Sequence, residues 1–229
     1  MIDSNNIVLP GDVVNDYVDA HGKCNKVKLG PGLHLEKHDV VACKAGKLHY
    51  KAPNVFWIDC HQKRYVPSKG DYVVGVTVGR QGDFYKVDIG SSDLALLNFL
   101  SFEGASKRNK PNISNGDVIF GRLVVANKEM EPEISCVESS GKANGLGVLP
   151  KDGLLFHVSL NLSRKLLSPE CILLPELGSR FCFEIVIGMN GRIVLFSKTI
   201  NQILMLVKLV VSSEYLTNSE ILKSITFVK

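Results

Sequence analysis

"IVIGMNGRIVLF", residues 185–196, places a Gly-x-Asn-Gly between two runs rich in β-branched residues. Glycines in this format either cradle a phosphate or turn a chain, and the flanks decide between the two. "FEIVI" (183–187) and "RIVLF" (192–196) supply strands on both sides, so the motif is expected to be a hairpin where the chain reverses. Asn190-Gly191 fits a two-residue type I′ turn, which needs positive φ at both central positions; Asn tolerates it and Gly adopts it freely. Gly188, lacking a side chain, is expected to let a neighbouring backbone come close and bury the motif at a domain junction.

Outward from the hairpin, "GLLFHV" (153–158) is a strand and "NLSRKLL" (161–167) a short helix. Ser168-Pro169 then supplies an N-cap and first-turn signal for a second short helix. Downstream, Ile200, Ile203, Leu204, Val207, Val210 and Val211 hold a 3.6-residue period, and Thr199 with Gln202 forms a capping box at its start. The order βααββα is that of a KH domain, placed at 150–229. The Gly-rich "SSGKANGLG" (139–147) before it reads as a linker, assigned to 141–149.

Between 67 and 140, "YVVGVTVG", "FYKVDI", "LALLN", "VIFGRLVVA" and "EISCVE" give five short strands with a long connection after the third. Tyr85, Val87 and Ile89 alternate with Phe84, Lys86 and Asp88. Five strands with that connection fit an OB-type barrel. Residues 1–66, broken by "KLGPGLH" and "KAPN", read as a β-rich domain with many loops. The fold class is therefore mainly β with an α+β C-terminal part.

Composition excludes more than it selects. A chain of 229 residues with 45% hydrophobic and 22% charged residues, mean hydropathy +0.10, is ordinary globular protein in small modules. The net charge of +4 and pI near 8.7 are compatible with an anionic partner but do not demand one. Six scattered cysteines without a C-x-x-C pair suggest free thiols. The N-terminus has no basic leader, and the richest apolar stretch, "ILMLVKLVV", is short and broken by Lys208. No secretion signal or membrane span is expected.

"HLEKH" puts His34 and His38 at i, i+4, but the zincin pattern needs Glu directly after the first His, where Leu35 stands. These are expected to be surface histidines. No nucleophile elbow, phosphate loop or Asp cluster occurs, so neither metal, cofactor nor catalytic residue is expected. "ASKRNKPN" concentrates Lys107, Arg108 and Lys110 in the long barrel connection, where three cations could neutralise phosphates; a solvated loop or an acidic protein partner is the alternative. Phe84 and Lys86 share the strand face away from the core, one ring for base stacking or domain packing beside one cation. Asp88 on that face opposes phosphate. The junction between the two short KH helices, "LLSPECIL", has no glycine, so the G-x-x-G clamp of RNA-binding KH domains is missing.

The runs "LPGD" (9–12), "KLGPGL" (28–33), "RYVPSKGDYVVG" (64–75), "YKVDIG" (85–90), "SFEGASKRN" (101–109), "NGDVIFGRLVVANKEMEPEISC" (115–136), "GLGV" (145–148) and "GMNGRI" (188–193) together resemble the RNA-binding cap subunits of the eukaryotic RNA exosome. Within those the chain is similar to the family known as ribosomal RNA-processing protein forty, or exosome component three. Val194 departs from it, since members usually carry Trp after the Gly-Arg-Ile. The resemblance implies an N-terminal domain, an S1-type OB barrel and a KH domain. It implies a non-catalytic subunit that sits on RNase PH-like ring subunits beside other cap subunits and guides single-stranded RNA to a 3′-to-5′ ribonuclease, in nucleus, nucleolus and cytoplasm. A stand-alone S1/KH RNA-binding regulator is the alternative.

Overall fold

Strict alternation through residues 46–59 builds the first sheet. Leu48, Phe56 and Ile58 point into one core, while Lys47, His49, Trp57 and Asp59 face away. The computed structural model describes residues 7–21, 27–52, 54–109, 111–127, 129–138, 140–169 and 171–227. It separates into two compact units, Met1–Gln62 and Lys63–Lys229. The first contains β1 (Ile7–Val8), α1 (Asn15–His21), β2 (Lys28–Leu29), β3 (Leu33–Glu36), β4 (Asp39–Ala42), β5 (Gly46–Lys51) and β6 (Val55–Asp59). Its four-stranded sheet runs β1-β5-β6-β2, and β3 and β4 form a separate hairpin. Helix α1 had no signal in the sequence. Tertiary bonds fix its start instead, Asn15 binding the Asp39 side chain and the Val40 N–H, both at 2.7 Å. His34 and His38 belong to the β3–β4 hairpin and its turn, where Lys37 takes φ 57°, so no helix places them on one face.

The second unit opens with the barrel: β7 (Tyr72–Gln81), β8 (Phe84–Asp88), β9 (Ala95–Asn98), β10 (Val118–Val125), β11 (Glu133–Ser135) and β12 (Gly147–Val148). The sheet order is β11-β9-β8-β7-β10-β12, and a further β10–β11 pairing closes the first five strands into a barrel. Tyr65, Val73, Tyr85, Val87, Ile89 and Leu97 lie in its core. In β7 it is Val73, Gly75 and Thr77 that point inward. Gly75 is required there, because a Cβ would reach the Val87 methyl and lie 3.2 Å from Ile89. The end of the segment read as a linker contributes to the barrel: Leu146 enters its core and Gly147–Val148 pairs with Phe120 and Ile119.

The KH module follows as β13 (Leu154–His157), α2 (Leu160–Leu167), α3 (Leu173–Arg180), β14 (Phe183–Ile187), β15 (Arg192–Ser197), α4 (Ile200–Ser212) and α5 (Asn218–Phe227). The sheet is antiparallel, ordered β13-β15-β14. Leu162, Leu166, Leu177, Ile193, Leu195, Leu206 and Val210 fill the space between sheet and helices. Val194, on the opposite sheet face from Ile193 and Leu195, is buried as well. Ser168-Pro169 does not begin a helix. Ser168 caps the end of α2, its N–H bonded to Arg164 O, and α3 starts at Leu173 without a side-chain cap. Thr199 caps α4 as expected, but Gln202 turns to Ser197 (3.0 Å). The unexpected α5 does carry a sequence signal, Thr217-x-x-Glu220: the carboxylate accepts from Thr217 N–H at 2.9 Å, which holds it below the usual range.

The opening hairpin is present, and its turn differs from the expected type I′. Gly191 N–H donates to Gly188 O (3.2 Å) and Gly188 N–H to Arg192 O (2.9 Å). Gly191 takes φ 78°, whereas Asn190 is not in the left-handed region. The loop is thus a turn closed by a single left-handed glycine, not a pair of positive-φ residues. A Cβ on Gly191 would also stand 2.6 Å from Val158 O. Gly191→Val is expected to lower stability by about 1–3 kcal/mol, read as a reduced melting temperature, while the folded fraction keeps its RNA affinity. A variant that melts like the parent yet loses RNA would place the motif in the ligand site.

Candidate nucleic-acid interface

Asn190 is buried, and its side chain satisfies three backbone groups of the barrel. Nδ2 donates to Val74 O (2.7 Å) and Ile89 O (2.8 Å), and Oδ1 accepts from Val74 N–H (3.2 Å). Met189 N–H adds a bond to Tyr72 O at 2.8 Å. Gly188 permits this approach, because a Cβ there would lie 2.8 Å from Val74 N. Beside it Arg192 Nη2 meets Asp88 Oδ2 at 2.6 Å, and Nη1 bonds Asp88 O. Gly-x-Asn-Gly is therefore a latch between barrel and KH module. Its Asn190 side chain and Met189 N–H are spent on barrel backbone.

The latch changes the electrostatics of β8. Burial would raise the Asp88 carboxyl. The Arg192 hydrogen bond, the Gly90 N–H and the charges of Arg192 and His157 outweigh it, and the group stays below the usual carboxylate range. Asp88 is thus paired with Arg192, which offsets its charge on this face. Phe84 and Lys86 do share the outward face of β8, with Phe84 37% exposed. Across the ladder they meet Asn98 and Leu96 of β9. Phe84, Leu96, Asn98, Ser101, Val124 and Ser135 line a shallow recess of about 360 Å³.

Lys107 and Arg108 are exposed on a tight turn closed by Ser106 N–H to Asn109 O and Asn109 N–H to Ser106 Oγ, both 3.0 Å. Lys110 lies outside the described residues. The loop is tied at both ends to the β7–β8 hairpin, through Phe99 N–H to Asp83 O (3.2 Å) and Tyr85 OH to Pro111 O (2.8 Å). The loop that carries the two cations is therefore anchored to the hairpin that carries Phe84 and Lys86. Arg80, which sequence reasoning missed, sits at the loop base with its guanidinium 5.9 Å from the Tyr85 ring centroid. The hairpin register could have found it, since Arg80 and Tyr85 are cross-strand partners around the Gly82-Asp83 turn.

Three family models cover most of the chain: the N-terminal region of mammalian exosome complex component RRP40 over 6–61, the S1 domain of exosome complex component RRP40 over 65–147, and a KH domain over 153–199. Exosome complex component RRP40 of Mus musculus is 45% identical, with 94% of this chain and 87% of the relative aligned. The Homo sapiens protein of that name is 46% identical over 92% and 80%. The chain belongs to the RRP40 family. More distantly, the Schizosaccharomyces pombe relative is 36% identical over 93% of this chain and 90% of its own. A crystal structure of an RNA-binding protein provisionally assigned to an exosome complex shares the fold, with a TM-score of 0.57 at 23% identity over 72% of this chain and 95% of that one.

In this RRP40-family chain the KH helix junction lacks the glycines of the G-x-x-G clamp. Residues 168–172 carry no glycine. The nearby cation, Lys165, is engaged by Ser213 O (2.7 Å) and Leu216 O (3.1 Å) at the end of α4. Among the described residues no group of three or more His, Cys, Asp or Glu is arranged to hold a metal, and no helix is long and apolar enough to cross a membrane. His34 Nδ1 lies 2.7 Å from Cys43 Sγ, both exposed.

Replacing Asn190 by Ala leaves two carbonyls and one N–H of the barrel without their partner and is expected to cost about 1–3 kcal/mol. The Asp88–Arg192 pair carries a pH signature. A carboxyl whose folded pKa is depressed stabilises above its unfolded value, about 3.9, and loses that contribution as pH falls through the folded one. The stability gap between the parent and Asp88→Asn, measured by denaturant titration, is expected to be full at pH 7 and to close below about pH 4. A gap independent of pH would remove the ion pair from the latch.

Proposed function

We propose that this chain is a non-catalytic, RNA-binding cap subunit of the exosome that guides single-stranded RNA for 3′-to-5′ processing and degradation. The observation that carries this reading is the order of modules on one chain, N-terminal region, S1 barrel and KH domain, all in the arrangement of relatives named as exosome complex components. The geometry supports a guiding role. Barrel and KH module are latched into one body, the KH hairpin is used up in that latch, and the basic loop with the β8 face is left to meet RNA. Cleavage, in this proposal, belongs to another subunit. The partners are RNase PH-like ring subunits and other cap subunits, with no cofactor and no membrane, in nucleus, nucleolus and cytoplasm.

Purification of the tagged chain from native extract is expected to bring down the ring and cap subunits in one high-mass species. Recovery as a free monomer would favour the stand-alone regulator. The isolated chain is expected to bind single-stranded RNA weakly, with little sequence preference and without shortening it in Mg²⁺. The logarithm of affinity should fall with the logarithm of salt by about 0.7 per phosphate neutralised. Lys107→Glu, Arg108→Glu and Lys110→Glu together are expected to abolish most of that binding. Unchanged affinity in the triple variant would move the RNA path off this loop.

A further inference from the structure

The first unit has a sheet face that the barrel-based reading leaves unused. Its core side is filled by Val8, Leu48, Phe56 and Ile58, so the alternate residues form the opposite surface. The inner strands β5 and β6 place His49 directly across from Trp57, the chain's only tryptophan, with their rings stacked at 5.5 Å and 15°. Gly30 follows β2 beside them, and a Cβ there would stand 2.8 Å from the Trp57 Cβ, so a side chain at that position would press on Trp57. The neighbouring cross-sheet row is Lys51, Val55 and Lys28, both lysines exposed and both in register with Val55. On the other side Lys47 faces Asp59 across the ladder, which offsets one charge of each sign.

We propose that this face, centred on the His49–Trp57 stack and the Lys28/Lys51 row, is a further contact for single-stranded RNA. Aromatic rings on the two inner strands of a four-stranded sheet are a stacking surface for unpaired bases, and sequence-tolerant because every base has a π face. A base stacked there has its phosphates within reach of the adjoining row, where both lysines have Val55 as cross-strand partner. An apolar protein partner would gain little from that row, whereas an anionic chain is complementary to it. The proposal rests on the RNA-binding reading above and adds a site to it.

Because Trp57 is the only indole, its emission reports this face alone. Full-length protein is titrated with a labelled single-stranded oligoadenylate, following label anisotropy and tryptophan emission together. Emission is expected to be quenched in step with the anisotropy rise. Trp57→Ala, and separately Lys28→Glu with Lys51→Glu, are expected to weaken binding at least about fivefold, with Trp57→Phe retaining most of it. The exposed lysine pair lies outside the core, so it tests the site even where Trp57→Ala fails to fold. Rising anisotropy with unchanged emission and an unaffected lysine variant would overturn this site while the barrel reading stands. No anisotropy change at all would remove both. Emission that shifts only when exosome ring subunits are added would assign the face to protein and overturn the proposal.

Discussion

Three hydrogen bonds from one buried carboxamide hold two modules of this chain as a single body. Asn190 is short enough to reach Val74 and Ile89 at once, and in a low-dielectric junction losing its side chain would cost about 1–3 kcal/mol. Much of the surrounding sequence follows from that contact. Gly188 must lack a Cβ for the backbones to meet, Gly191 must turn left-handed beside Val158, and Met189 docks its N–H on Tyr72. Leu160, the first residue of α2, joins the barrel's core cluster. Stability of the KH module and of the barrel is coupled through these residues.

The latch also redistributes charge. In sequence Asp88 sits two residues from Lys86 on one face, and the pair cancels. In the folded chain Arg192 reaches across from β15 and takes the carboxylate, with its guanidinium almost fully buried against it. An arginine from one module thereby neutralises an acid on the other. Lys86 then shares its strand face with an acid that is already paired. A KH hairpin that contributes no phosphate contact of its own still shapes the electrostatics of the barrel strand that does the binding in the proposed function.

Alternation and periodicity made the large elements legible. Tyr85, Val87 and Ile89 fell inward, and the βααββα order gave the KH module. β7 was harder, because Tyr72, Val74, Val76 and Val78 look like a core stripe and yet face away from the barrel interior. Val74 is buried all the same, being covered by the KH hairpin, so hydrophobicity there records a junction rather than the local core. Short segments fixed by tertiary contact were not legible. Asn15 has meaning only once Asp39 is beside it, and Gly147–Val148 becomes a strand only because β10 has a free edge. Ser168-Pro169 shows the ambiguity of a local signal, since the same pair that opens one helix can end another. The candidate residues followed the same divide: Phe84 and Lys86 were readable from strand period, Arg80 only from hairpin register, and the His49–Trp57 stack only from the pairing of β5 with β6.

A guide must hold its ligand without stopping it, and the charge distribution suits that requirement. With a net charge of +4 over 229 residues, no strong field extends beyond the Debye length of about 8 Å at physiological salt. Attraction is therefore local, a few lysines and arginines acting over one or two phosphates each. On the proposals above, stacking on Phe84 and, separately, on the His49–Trp57 pair would give a base a modest and sequence-independent gain. Contacts of this size dissociate quickly one at a time, so a strand held by several of them can advance by exchanging one base for the next. A retained G-x-x-G clamp would instead grip a run of four nucleotides at a fixed register, and a serially moving chain would have to break all of those bonds together. A helix junction without those glycines lacks that fixed-register grip, and in the proposed function this leaves contacts that a passing strand can release.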